Sequence, residues 1–252
     1  MKGSLYSREG KLIRQIELPE FFESQKRDDL VKRAVLSEES KEHQPKGSYR
    51  YAGMETSARY RGRKEDYGTT KNMGIAHRPR EVLPEGRYGK VKRSPSAVKG
   101  RRAHPPKPEK KIAEEINKKE YEKALKSAIA YTADREKVCA RMNLDIGISL
   151  PVVIDNSVEE LKKTKEVLEV LKALNLMPLV EKSKKNGSKA PLMVVSGGSV
   201  LKAASNIPGV DVVMADELEA RHIAPGTHPG RLTIFTEKSL EALSARFRGG
   251  KK

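Results

Sequence analysis

Apolar and polar positions alternate in three different ways along this chain. Near the start, Leu5 and Tyr6, the turn triplet Arg8-Glu9-Gly10, and a run over 11–19 with Leu12, Ile16 and Leu18 predict two short strands around a turn, closed by Pro19. From Asp28 to about Glu42 the apolar residues Leu30, Val31, Ala34 and Val35 recur at helical spacing, and Pro45 blocks any continuation. A second helix is predicted over about 110–131. Ile112, Ile116, Ala124, Leu125, Ala128 and Ile129 form its apolar face, and Glu114/Lys118, Glu115/Lys119 and Glu122/Lys126 form i,i+4 pairs on the exposed side.

Beyond it lie four short runs rich in Val, Ile and Leu: LPVVI (150–154), LMVVS (192–196), VDVVMA (210–215) and LTIFT (232–236). Such runs read as buried parallel strands. Helical patterns separate them. Ser157 is expected to open a capping box with Glu160 before Leu161, Val167, Leu168, Leu171 and Leu174, and shorter helices are expected near Val200 to Ala204, over 216–222 and over 238–247. Strand and helix in alternation predict an α/β fold, a parallel sheet flanked by helices.

The third pattern is the absence of one. Residues 45–108 show neither a helical apolar period nor sustained alternation, and 64 residues exceed any ordinary loop. The expected organisation is a globular α/β domain from 1–44 and 109–252, with 45–108 a long extended basic loop inserted near the N-terminal side. Seventeen Arg and Lys against five Asp and Glu give this window most of the net charge of +17. It also holds eight glycines and five of the eight tyrosines. Glycine lets a backbone approach a bulky partner, arginine pairs with phosphate through two N–H groups, and tyrosine stacks on unpaired bases. The combination suits RNA. Residues 59–80 are expected to have nothing inside the protein to fix them, so that order comes from phosphate contacts. The competing reading is a mobile loop of solvated charges.

Composition bounds the partner. Of 252 residues, 34% are charged, with 51 basic and 34 acidic side chains. Such a balance calls for a polyanion, either nucleic acid or an anionic membrane surface. The chain starts Met-Lys-Gly-Ser with no apolar signal segment, and no stretch of 18 apolar residues occurs, so an intracellular soluble protein is expected. The single cysteine, Cys139, rules out an internal disulfide and a multi-cysteine zinc cluster and reads as a small residue in a helix.

Candidate chemistry is sparse. VVSGGSV (194–200) places Gly197 and Gly198 between a strand and a helix, where backbone N–H groups could cradle a phosphate, but it matches neither dinucleotide nor P-loop spacing. NGSK (186–189) precedes a strand, the wrong place for a P-loop. Asp216, Glu219 and His222, with His228 nearby, lack the spacing of a zinc motif. His77 and His104 lie in the basic window. No serine-nucleophile elbow and no catalytic constellation is found, so no enzyme activity, cofactor or metal is expected.

GRRAHPPKPEKK (100–111), EINKKEYEKALKSAIAYTADREKV (115–138), YAGMETSARYRGR (51–63) and SLPVVID (149–155) together resemble the universal large-subunit ribosomal protein four family in its archaeal and eukaryotic form, over about residues 1–247. The resemblance implies a globular α/β domain on the solvent side of the large ribosomal subunit. It also implies a long loop threading ribosomal RNA to line the polypeptide exit tunnel, opposite a loop of protein twenty-two, and a part in early subunit assembly. The implied partners are large-subunit ribosomal RNA, neighbouring ribosomal proteins and the nascent polypeptide near the loop tip, on cytoplasmic ribosomes and without a membrane. Carried onto this chain, Arg59, Arg61, Arg63, Lys64, Lys71, Arg78, Arg80, Arg87, Lys90, Lys92, Arg93, Arg101 and Arg102 are expected to contact RNA. Tyr60 and Tyr67 are placed beside them, with the tip within 59–80. Residues 64–90 carry fewer glycines and more charge than that family's loop. A nucleotide enzyme using Gly197 and Gly198, and a peripheral membrane protein held by the polybasic window, stand as alternatives.

Overall fold

The computed structural model describes residues 1–143 and 147–249. The chain divides into two compact units, Met1–Glu42 with Ala113–Lys252, and His43–Ile112.

The first unit is built on a six-stranded sheet. Its strands are β1 (Lys2–Tyr6), β2 (Leu12–Glu17), β5 (Val152–Ile154), β6 (Leu192–Val195), β7 (Asp211–Met214) and β8 (Thr233–Thr236), in the order β2-β1-β5-β8-β6-β7. Only β1 and β2 pair antiparallel; every other pairing is parallel. Because successive side chains leave a strand on opposite faces, one apolar run feeds two cores. Val152, Ile154, Met193, Val195 and Ile234 enter one, with α3 (Arg135–Met142), α4 (Thr164–Ala173), α5 (Met177–Asn186) and α6 (Val200–Ala204) supplying Val138, Val167, Leu179 and Val200. Val153, Leu192, Val194 and Phe235 enter the other. They meet Val31 and Val35 of α1 (Asp28–Glu42), Leu125 and Ile129 of α2 (Lys118–Thr132), Ile223 of α7 (Ala220–Ile223) and Leu243 of α8 (Glu237–Gly249). That double burial is why β5 and β6 carry no polar face, whereas β7, expected to be buried, lies at the sheet edge and is only half-buried along its length.

Three expected elements differ. The second helix starts at Lys118, not near 110. Two hydroxyls of α1 hold the preceding chain extended: Ser37 Oγ donates to the Glu114 carbonyl at 2.5 Å, and the Glu114 amide donates to Ser40 Oγ at 2.8 Å. Glu114 and Glu115 therefore precede the helix, so their pairs with Lys118 and Lys119 do not lie on it, and Glu120 instead pairs with Arg33 of α1 at 2.7 Å. The capping box at Ser157 and Glu160 is replaced by a short 3-10 turn over Asn156–Glu160, and α4 begins at Thr164. Ser199 Oγ holds the carbonyls of Glu160 and Leu161, which stops helix growth there. The helix expected over 216–222 is split into a turn at Ala215–Glu217 and α7, because Glu38 of α1 caps the second piece by accepting from the amides of Ala220 and Arg221 at 3.0 and 2.7 Å. Among the elements with no counterpart in the expected set are α3, α5 and the turn Glu20–Glu23, which buries Phe21 and Phe22. Phe22 meets Phe235 edge-on with ring centroids 5.6 Å apart.

The second unit contains one regular hairpin, β3 (Arg80–Val82) with β4 (Tyr88–Val91), antiparallel and irregular between Arg80 and Val82.

Candidate nucleic-acid interface

Within His43–Ile112 the chain runs out and back, and its two limbs touch at a series of levels. A Cβ at Gly47 would stand 2.7 Å from the Pro108 ring; one at Gly53, whose φ is +75°, would stand 2.5 Å from the backbone of Gly100 and Arg101. Here backbone lies on backbone, which only glycine allows. Further along, Arg59 and Arg80 form an antiparallel bridge, and the Val82 amide donates to Ser57 Oγ at 3.3 Å. Past that bridge the Thr70 amide and hydroxyl both donate to the Arg61 carbonyl, at 2.8 and 3.0 Å, and Thr69 Oγ1 donates to the Arg63 carbonyl at 2.8 Å. The Lys92 amide donates to the Pro79 carbonyl at 3.0 Å, and the Tyr88 hydroxyl donates to the Gly68 carbonyl.

These contacts correct the expectation that nothing inside the protein fixes 59–80. The closure uses main-chain groups and threonine hydroxyls of residues far apart in sequence, which leave no apolar period. The apolar support is thin, since Ala58 and Thr70 are the only buried residues between 43 and 112.

The predicted contact residues gather on this unit. Arg59, Arg63, Lys64, Lys71, Arg78, Arg87, Lys90, Arg93, Arg101 and Arg102 are exposed, while Arg61, Arg80 and Lys92 are half-buried. Tyr60 is 53% and Tyr67 95% exposed, a poor place for an aromatic ring facing water alone. Arg87 pairs with Glu85, and Lys92 lies 3.9 Å from Glu81; the others have no carboxylate partner among the described residues. Arg78 Nη1 donates to Ser96 Oγ, and Arg80 Nε is buried with no hydrogen-bond partner among the described residues. Arg93 and Lys99 sit at turns with φ of +64° and +59°. Arg50, Lys99, Tyr49 and Tyr51 share this exposure but fall outside the predicted set. The same interleaving of Arg and Tyr marks them in the sequence. Uncompensated cations beside exposed rings can bind phosphate and stack on bases.

The alternative chemistry finds less support. Gly198 has φ +101°, and a Cβ there would stand 2.3 Å from the Glu159 carbonyl. The would-be phosphate cradle at 196–199 is filled by Glu159 itself, whose Oε1 accepts from the Ser196 amide at 2.8 Å and from Thr236 Oγ1 at 2.6 Å. A second anion there would face a buried carboxylate. His222 spends Nδ1 on the Glu219 amide at 3.2 Å, and no metal-binding cluster is found among the described residues. Cys139 is half-buried against the core on α3. Among the described residues, no helix is long and apolar enough to cross a membrane.

The sequence is similar to the large ribosomal subunit protein uL4 of Archaeoglobus fulgidus, 42% identical over 96% of this chain and 98% of the relative. Similarity to the protein of the same name from Methanocaldococcus jannaschii is 41% over 98% of this chain and 100% of the relative, and to that of Sulfurisphaera tokodaii 39% over 98% and 96%. A family model described as ribosomal protein L4/L1 family matches residues 16–246, across the sheet and the basic unit alike. The chain therefore belongs to the ribosomal protein L4/L1 family.

Proposed function

We propose that this chain is a structural, non-enzymatic constituent of the large ribosomal subunit, attached to large-subunit ribosomal RNA through the unit His43–Ile112. The observation that carries the reading is the pairing of many exposed, uncompensated cations with only two buried residues in that unit. A segment so charged and so weakly cored gains its full stability from a polyanion that neutralises it.

Arg59, Arg63, Lys64, Lys71 and Arg101 contact phosphates, and Tyr60 and Tyr67 stack on unpaired bases. The limbs closed at Gly53 and at the Arg59–Arg80 bridge are ready-made, so RNA binding orders less chain than a fully disordered loop would demand. Residues 61–79, hanging beyond the bridge, form the tip that reaches the exit tunnel and the nascent polypeptide. Neighbouring ribosomal proteins flank the chain on cytoplasmic ribosomes, and its early binding supports subunit assembly.

Sedimentation tests this. The protein is expected to travel with large subunits and remain after a high-salt wash; a protein released into the supernatant, or absent from that fraction, contradicts the reading. If about eight cations meet phosphates, affinity for the isolated RNA falls with a log-log salt slope of roughly −6 to −7.

A further inference from the structure

A cleft of about 760 Å³ opens on the first unit, away from the glycine turn, between α1, α3 and the chain before β6 and β8. Its titratable lining is Lys32, Lys137, Arg141, Lys189, His228 and a single described carboxylate, Asp28. The charges do not balance. Asp28 reaches Lys137 only at 3.9 Å. Asp211, outside the lining, serves Lys189 at 3.0 Å and also Arg231 at 2.7 Å.

Arg231 and Arg141 differ in a telling way. Arg231 is 1% exposed and fully engaged: beyond Asp211, its guanidinium donates to the carbonyls of Ala190, His222 and Gly209 at 2.8, 2.9 and 3.1 Å. Arg141 has one arm fixed, Nη2 donating to the Pro225 carbonyl at 2.7 Å, while Nη1 is buried with no partner among the described residues. Burial, and then the nearby charge of Arg231, both push the Arg141 guanidinium below its ordinary range. A buried guanidinium N–H without an acceptor is costly, and an anion relieves both the lost hydrogen bond and the charge repulsion.

We infer that this cleft is a phosphate-binding site, with Arg141 donating through Nη1, Lys32 and Lys137 closing over the anion and His228 at the rim. The phosphate is one of the ribosomal RNA backbone, a second attachment independent of the basic unit. That source rests on the function proposed above; the chemistry of the cleft does not.

The test uses the full chain and the exposed pair Lys32→Gln/Lys137→Gln, with Lys162→Gln/Lys165→Gln as an equal loss of exposed charge elsewhere, each checked for an unchanged fold by circular dichroism. Binding to large-subunit RNA across a salt series should lose about 1 to 2 in slope in the cleft variant relative to the control pair. Arg141→Lys, which keeps the charge but loses the second N–H arm, should weaken binding several-fold. In parallel, inorganic phosphate is titrated at constant ionic strength while Tm is read. A saturable rise in wild type that the cleft variant lacks, with RNA slopes unchanged, supports a phosphate site filled by a free anion. Equal slopes in both variants together with no saturable rise overturn the inference. If the wild-type chain binds no large-subunit RNA at all, the ribosomal reading fails and the phosphate titration alone decides the cleft.

Discussion

Arg59 and Arg80 pair main chain to main chain, the Arg59 amide donating to the Arg80 carbonyl at 3.0 Å and the Arg80 amide to the Arg59 carbonyl at 3.2 Å. Two like-charged side chains are thereby held at one level of the basic unit, a juxtaposition that repels unless an anion is shared. Arg80→Gln removes one cation and keeps the bridge, so its RNA salt slope should change by no more than about 0.9. Arg80→Pro also removes a bridge donor. It should lose clearly more affinity than Arg80→Gln, and equal losses would show that the bridge does not organise the surface.

At Gly53 the two limbs are closer than any side chain permits. Gly53→Val is expected to force them apart and lower RNA affinity at least tenfold, while urea unfolding of the sheet stays as in wild type. Gly74 has a similar φ of +67° but open space around it, so Gly74→Ala should cost only about 1–2 kcal/mol of local backbone strain and leave RNA binding within a few-fold. Filter binding on both variants separates close approach from backbone conformation.

Glu159→Ala leaves the Ser196 amide and the Thr236 hydroxyl without their buried acceptor. The expected loss is about 1–3 kcal/mol in denaturant unfolding. The Lys32→Gln/Lys137→Gln variant, in which the phosphate cleft is removed, should show no saturable Tm rise with any mononucleotide; such a rise would revive the glycine turn as a nucleotide site.

The Glu38 carboxyl is pushed above its ordinary value of 4.5, chiefly by burial, against the pull of the Tyr121 hydroxyl and the amides of Arg221 and Ala220. Between 4.5 and the raised value the folded chain binds more protons than the unfolded chain, so this residue's contribution to stability falls as pH rises through that window. Glu38→Gln lacks the titration. The Tm difference, wild type minus variant, should therefore shrink as pH is taken from about 4 to about 7, and a difference that grows would contradict the burial argument.

What could be read from the sequence follows from where the physics is local. The runs at 152–154 and 192–195 were legible because alternate side chains enter two cores and leave no polar positions. The start of α2 was not, because hydroxyls of Ser37 and Ser40, over seventy residues away in the chain, decide it. Phe21 and Phe22 sit in a turn too short to show a period. In the basic unit the charge and the tyrosines announced the kind of partner. The pairing of limbs at Gly53 with Gly100 and at Arg61 with Thr70 was silent, since main-chain hydrogen bonds carry no residue signature beyond a glycine or threonine.

The most direct test is ultraviolet crosslinking of native large subunits, with the crosslinked peptides of this chain mapped by mass spectrometry. RNA adducts are expected to concentrate in 59–102, at Tyr60, Tyr67 and the neighbouring cations. Adducts confined to the sheet-bearing unit, with none between 43 and 112, would contradict the account.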